Sequence, residues 1–352
     1  MSSSLRIGIV APPWLPVPPR AYGGTEAFID VLARGLQAEG HEVTLFTTGD
    51  ATCKVPRRSC FRSAIGIASG TSAHESRHVV EAYEALVGAD VIHDHTVVGP
   101  LYARSLHGWP VVTTNHGPFD DVLTPVYRAL QRRIPVVAIS HHQASTARGL
   151  TPAAVIHHGL ELGRFPVGSG QGGYAAFLGR MHPDKGVDLA IKAARSAGMP
   201  LRIAAKMSEP LEKEYFASII RPMLGADVEF LGEVGFADKT RLLGEAACLL
   251  NPIRWAEPFG LVMAEALACG TPVVTTARGS APEIVEHNKT GFLCRGERSL
   301  VHGLERAGEL RRADCRSAAE ERFSAERMVR EYLAVYEKAI TPLPESAEIS
   351  AA

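Results

Sequence analysis

Residues 5–47 read LRIGIVAPPWLPVPPRAYGGTEAFIDVLARGLQAEGHEVTLFT, and the alternation inside this stretch sets the fold. Leu5 to Ala11 is a short, nearly continuous apolar run, the pattern of a parallel strand buried on both faces. Thr25 to Glu39 then places Ala27, Phe28, Val31, Leu32 and Leu36 on one helical face, and Gly40 stands where the helix stops. His41 to Thr47 is the next strand.

The same rhythm continues outward. Strands are expected at Val91 to His93, Val111 to Thr114, Val136 to Ser140 and Ala154 to His157, with helices between several of them. Strands alternating with helices require right-handed crossovers and give a parallel sheet. Pro56 to Ser76 breaks the pattern and reads as a variable connection, and Gly159 to Tyr174, with Gly168, Gly170, Gly172 and Gly173, reads as an interdomain linker. A second alternation follows: strands Ala175 to Gly179, Leu201 to Ala205, Val228 to Leu231, Cys248 to Pro252 and Pro272 to Thr275, with helices Gly186 to Ala197, Lys239 to Ala247 and Phe259 to Cys269. A last helix, about Ala325 to Ile340, carries an apolar stripe of Met328, Tyr332, Leu333 and Tyr336, and a frayed tail is expected beyond Pro342. The expected organisation is 1–160, 161–325, and a closing helix 326–340 that packs back on the first domain.

Length and composition agree with two doubly wound domains. A chain of 352 residues exceeds one average domain, and 46% hydrophobic with 21% charged residues is ordinary for a globular protein. Lys plus Arg number 37 against 38 Asp plus Glu, so no overall basic field draws in nucleic acid. The six cysteines include no C-x-x-C pair, which suits neither a zinc site nor a disulfide framework. No leader-like segment and no apolar run of membrane-spanning length is visible, so the cytoplasm is the expected location, with weak peripheral membrane contact left open.

Three loops carry the chemistry. After the first strand, the proline-rich stretch from Pro12 to Tyr22 ends in Gly23-Gly24 at a helix start, with Glu26 in the first turn. The tight G-x-G-x-x-G turn is absent there, which disfavours a nicotinamide or flavin cofactor. What remains is either a glycine-assisted turn or a phosphate site made of bare amides and the helix dipole. In the second domain, Arg180 ends a strand and Lys185 precedes a helix. They read either as solvated charges or as two cations set against a diphosphate, and strand ends of this fold are where ligands bind. The third loop is Glu257-Pro258-Phe259-Gly260-Leu261, continuing through Glu265. Phe259, Gly260 and Leu261 are expected to present first-turn amides as a second anion site. Glu265 lies among apolar neighbours and needs a partner, either nearby amides or the hydroxyls of a sugar or ribose.

In these motifs the chain resembles family 4 of the retaining glycosyltransferases, from Ile7 to about Tyr336. The carriers are Gly23, Gly24 and Glu26; His93, Asp94 and His95; His116 with Gly117; Ser140; Gly179, Arg180, Lys185 and Gly186; and the E-x7-E pair. The resemblance implies an α/β GT-B fold, two Rossmann-like doubly wound parallel-sheet domains facing a central cleft, with the acceptor on the first domain and the nucleotide-sugar donor on the second. It also implies that Arg180 and Lys185 bind the donor diphosphate, Glu257 the donor-sugar hydroxyls, Glu265 the ribose, and His116 the sugar near the reacting carbon. The amides of Gly24 and of Phe259 to Leu261 would complete the phosphate cradle. Members usually carry Pro-Asn-Gly before the linker, where this chain has His157-His158-Gly159.

The implied activity is sugar transfer, with retention, from a nucleotide-diphosphate sugar built on UDP or GDP to an acceptor hydroxyl of a glycan, lipid or small molecule. No Asp-x-Asp occurs, so no metal and no bound cofactor are expected, and the cations and helix ends must stabilise the leaving diphosphate. Two rivals share these motifs: a nucleotide-sugar epimerase of the same fold, and a non-catalytic sugar-nucleotide binding module. His116, Arg180, Lys185 and both acids, all present, disfavour the module.

Overall fold

The computed structural model describes residues 4–66, 72–105 and 109–341. The tail expected to fray beyond Pro342 lies outside the described residues.

Two wholly parallel sheets are built from the apolar runs. The first contains β1 (Arg6–Val10), β2 (Glu42–Thr47), β3 (Arg57–Ser59), β4 (Val91–Asp94), β5 (Val111–Thr114), β6 (Val136–Ala138) and β7 (Ala154–Val155). The second contains β8 (Ala175–Arg180), β9 (Leu201–Lys206), β10 (Val228–Gly232), β11 (Cys248–Asn251), β12 (Val273–Thr276) and β13 (Gly291–Cys294). Their orders are β3-β2-β1-β4-β5-β6-β7 and β10-β9-β8-β11-β12-β13, so each sheet reverses direction once. The reversals fall between β1 and β4 and between β8 and β11, where the carboxyl ends of neighbouring strands diverge and leave a crevice.

Central strands are sealed on both faces, as the continuous apolar runs required. Ile7, Ile9, Val43 and Leu45 pack on one side of the first sheet, and Val10, Phe46, Ile92 and Val111 on the other. In the second sheet Ala176, Leu249 and Val273 face one core while Ala175, Phe177, Cys248 and Leu250 face the other. Fully burying one such aliphatic side chain stabilises by roughly 1.5–3 kcal/mol, which is why register slips are unaffordable here.

Three sequence expectations change. Within Pro56 to Ser76, Arg57–Ser59 forms an edge strand and Ser72 begins a helix that runs to Ala85. All three β3 residues are exposed, so no apolar alternation announces the strand. The glycines of the expected linker serve close packing instead of flexibility. Gly168, Gly170 and Gly172 donate their amides to Cys269, Gly244 and Glu245 at 3.1, 3.0 and 2.9 Å, and a Cβ on Gly168 would lie 2.0 Å from the Gly244 carbonyl oxygen. Third, the helix expected from Phe259 begins at Leu261, because Gly260, at φ 85°, takes the left-handed conformation as its N-cap.

The chain leaves the first sheet near Gly159 and returns at Ser324. Leu160 donates to the Phe323 carbonyl at 2.8 Å and accepts from the Ala325 amide at 3.0 Å, so the two passages lie side by side. The helix Ala325–Ile340 then packs on the first domain, with Met328, Val329, Tyr332 and Tyr336 in the same core as Ile7, Phe28 and Leu32. It lies so close to the helix Gly24–Ala38 that a Cβ on Gly35 would sit 2.5 Å from Val329 Cγ2. Among the described residues no helix is long and apolar enough to cross a membrane.

Candidate active site

The three loops that carry the chemistry each follow a strand beside one of the two reversals, while His116 and Ser140 follow β5 and β6 one and two strands further along. Gly23-Gly24 follows β1 and His95 follows β4, while Arg180 to Lys185 follow β8 and Glu257 follows β11. Gly23 is the N-cap of the helix Gly24–Ala38, and a side chain placed on Gly24 would begin 3.3 Å from Leu261 Cδ1. Two helix starts, one from each domain, therefore face each other across the cleft. Phe259, expected among the first-turn amides, stands one residue before the N-cap Gly260, and its ring is buried against His157, His158 and Phe323.

The second domain gathers three cations. Lys185 is only 5% exposed, which rules out a solvated charge, and its ammonium group is bonded to Glu257 Oε1. Its Nζ also lies 5.5 Å from the centre of the Trp255 ring. Gly186 behind it adopts φ 72°, and a Cβ there would strike the Pro252 carbonyl at 2.2 Å, so glycine is what lets this loop pack against the loop after β11. Arg180 and Lys206 are direct neighbours in the β8–β9 register. Each reaches to 3.8 Å from Oε1 of Glu212, a fully buried carboxylate whose other oxygen accepts the Ser208 and Glu209 amides at 2.8 and 3.0 Å. The Tyr22 hydroxyl, on the first-domain loop, also meets Arg180.

The two acids of the E-x7-E pair have different partners. Glu257 bonds Lys185 through Oε1, while its Oε2 is buried without a protein partner. Its loop is pinned from behind: Ser280 donates its amide to the Glu257 carbonyl at 3.0 Å, and its hydroxyl bonds the Phe259 carbonyl. Glu265, 8% exposed, accepts from Lys239 Nζ at 2.5 Å. That partner, expected among sugar or ribose hydroxyls or nearby amides, is Lys239. Lys206 and Glu212 lie outside the sequence expectations, although Lys206 closes an apolar strand as Arg180 does.

The first domain contributes imidazoles. His93, His95, His116 and His158 form a run with ring centres 4.0, 5.1 and 5.4 Å apart, packed about Phe28. His93 is bonded through Nδ1 to Tyr336 Oη at 2.7 Å and through Nε2 to Thr114 Oγ1 at 2.9 Å. His95 Nδ1 and His116 Nε2 lie 3.0 Å apart. Burial disfavours the charged ring, holding His116 down at about 3 and His93, His95 and His158 well below the ordinary histidine value. All four are neutral at physiological pH. Asp94 is buried and pushed up to about 7, and it bonds Tyr83, the Thr96 amide and the Thr96 hydroxyl at 3.0, 2.8 and 2.8 Å. Ser140 caps a short helix by accepting the Gln143 amide at 2.9 Å. Asp94 and Ser140 thus shape the loops, while His116 lies partly exposed two residues beyond β5. In place of the usual Pro-Asn-Gly, His157 bonds Glu283 at 2.8 Å and His158 sits between His116 and Phe259.

Known proteins share this architecture. Residues 22–164 match the family described as Glycosyltransferase Family 4, and residues 165–322 the family described as Glycosyl transferases group 1. The phosphatidyl-myo-inositol mannosyltransferase of Mycolicibacterium smegmatis is 26% identical over 323 residues, covering 82% of this chain and 80% of that protein. The D-inositol 3-phosphate glycosyltransferase of Kribbella flavida is 28% identical over 351 residues, covering 80% of each. Among solved structures, AviGT4, a glycosyltransferase involved in avilamycin A biosynthesis, superposes with a TM-score of 0.72 at 25% identity, over 96% of this chain and 98% of that one. Anabaena HepE in complex with UDP-glucose gives 0.73 at 18% identity, over 95% and 100%, a likeness of fold.

Proposed function

The chain belongs to family 4 of the glycosyltransferases, and on that premise we propose that it moves a sugar from a nucleoside-diphosphate donor to an acceptor hydroxyl with retention and without a metal ion. The observation that carries the reading is the second oxygen of Glu257: buried, unpaired, and beside the cation that its first oxygen orients. A buried carboxylate oxygen of this kind needs a donor, and a sugar hydroxyl supplies one.

Arg180, Lys185 and Lys206 oppose the carboxylates of Glu257, Glu212 and Glu209, three cations against three acids, so the side chains balance in charge. The helix starts at Gly24 and Leu261 each add roughly half a charge. On this proposal the donors of Arg180 and Lys185, with the two helix starts, stabilise the charge that grows on the leaving oxygen of the diphosphate as the glycosidic bond breaks, without a metal. In this reading Arg180 and Lys185 hold the diphosphate, Glu257 the sugar, and Glu265 the ribose with Lys239 orienting it. His116, on the acceptor-side domain, meets the sugar. Retention then needs the acceptor to enter on the face that the diphosphate leaves, its proton passing to the departing phosphate.

A donor screen with UDP-glucose, as seen in HepE, and with UDP- and GDP-linked mannose tests this. Inositol acceptors are the first to offer, given the curated relatives. Proton NMR of the fresh product reads its anomeric coupling. A product inverted relative to the donor overturns retention, and an altered free nucleotide sugar with no transfer product overturns transferase activity in favour of epimerisation.

A further inference from the structure

We infer that Glu283 is a positioning residue for the transfer reaction: its carboxylate ties the loop that carries Glu257, in the second domain, to the loop that carries His116, in the first. This rests on the reading that Glu257 and His116 meet one donor sugar.

The second-domain side of the link is short. Ser280 holds the Glu257 loop through its amide, 3.0 Å from the Glu257 carbonyl oxygen, and through its hydroxyl on the Phe259 carbonyl. The Glu283 amide in turn donates to the Ser280 carbonyl at 2.8 Å, in the short helix Ala281–Ile284. Gly279 lies flat on the same loop, since a Cβ there would fall 2.4 Å from both the amide nitrogen and the carbonyl oxygen of Glu257. A shift of Glu283 is therefore felt at the Glu257 backbone.

The carboxylate crosses to the first domain. Its Oε2 accepts the His141 amide at 2.8 Å and its Oε1 the His142 amide at 2.6 Å. These are the first two amides of the helix His141–Thr146, which no carbonyl of that helix can take. The next residue, Gln143, is 2% exposed and donates Nε2 to the carbonyls of Asn115 and Gly117 at 2.9 and 2.5 Å, the two positions that flank His116. A run of hydrogen bonds and short covalent steps thus joins Glu257 to His116, and Glu283 is the member of that run that spans the domains. His157 adds a third donor, Nε2 to Oε2 at 2.8 Å, from the place where the family usually has proline, a residue with no such group. Burial opposes a charge on Glu283, yet the bonds from His157, His142 and His141 hold its carboxyl below the ordinary glutamate value. It is ionised at neutral pH, and its bonds are of the stronger, charge-assisted kind. Alignment of this sort matters to rate, because a misplacement of about 1 Å can cost roughly a hundredfold.

The test is kinetics and nucleotide binding on the whole protein. Glu283→Ala should lower kcat by at least about tenfold while affinity for UDP or GDP, whichever the wild type binds, stays within about twofold, because Arg180, Lys185 and Glu265 all belong to the second domain. His141→Pro is the finer probe. It removes one donor to the carboxylate at the first position of a helix, which proline suits, and Ser140 before it is already extended at φ −158° and ψ 158°, as a following proline requires. Its kcat should fall about three- to tenfold with nucleotide affinity unchanged. Wild-type kcat in both variants overturns the inference. A parallel loss of kcat and nucleotide affinity in Glu283→Ala also overturns it, since that pattern marks local collapse of the second-domain loop. Should Glu283→Ala fail to fold by circular dichroism, His141→Pro decides on the same criteria. Full activity in His116→Ala would remove the underlying reading; an inactive His116→Ala beside a fully active Glu283→Ala would remove only the role of Glu283.

Discussion

The Lys185 ammonium group is bonded to the Glu257 carboxylate, joining residues 72 positions apart from the two loops that flank the reversal of the second sheet. One contact therefore ties the cation proposed for the diphosphate to the acid proposed for the sugar.

The pair is nearly buried, with side chains 7% and 13% exposed, so removing one member strands the other. Lys185→Ala should cost about 3–5 kcal/mol of stability as well as donor affinity. Lys185→Met combined with Glu257→Gln should regain most of the stability and none of the donor binding. Arg180 is 28% exposed and only 3.8 Å from Glu212, so Arg180→Ala should leave stability within about 1 kcal/mol while weakening nucleoside-diphosphate binding by about 1.5–3 kcal/mol. Urea unfolding and titration calorimetry separate the two effects. Wild-type diphosphate affinity in both single variants would take these cations out of the site.

Glu257→Gln should bind a sugar-free nucleoside diphosphate nearly as well as wild type while kcat and kcat/KM fall together. Glu265→Gln should lose affinity for the free nucleotide as well. Equal loss of nucleotide binding in both, with folding verified, would refute separate partners for the two acids.

How far the sequence foretold this site depends on what kind of signal each residue leaves. Buried strands such as Ala175–Arg180 and Cys248–Asn251 announce themselves by apolar continuity, and their ends locate Arg180, Lys185 and Glu257. The exposed edge strand Arg57–Ser59 has no such pattern because nothing packs on it. Lys239 lies 26 positions from Glu265 on a different helix, and only tertiary packing makes them partners. Gly260 could have been read, since a glycine ahead of an apolar helix is the residue that tolerates positive φ, and it moves the helix start by two positions. The shared bond of His95 and His116 depends on β4 and β5 being neighbours, a pairing that motif spacing does not encode.

Glu26 gives a pH signature. It is 6% exposed in the first turn of the helix at Gly24, and burial raises its carboxyl to about 7. The folded state therefore binds more protons than the unfolded state between about 4.5 and 7, and stability falls as pH rises through that window. Glu26→Gln should remove that slope and stabilise the protein at pH 8 by at most about 3 kcal/mol, with little gain near pH 4. Thermal unfolding across pH measures it; parallel curves for variant and wild type would contradict a protonated Glu26.

On the proposed reading, in which cations of the chain and two helix starts stabilise the leaving group, saturating EDTA should leave transfer activity unchanged. Activity lost to EDTA and restored by Mg²⁺ or Mn²⁺ would overturn the metal-free reading.

The paired crossing at Leu160 and Phe323 to Ala325 makes the second lobe, topologically, an insertion within the first. A transplant of donor preference between relatives must therefore move a cassette with two junctions, because a single splice near residue 160 would import a foreign closing helix over His93.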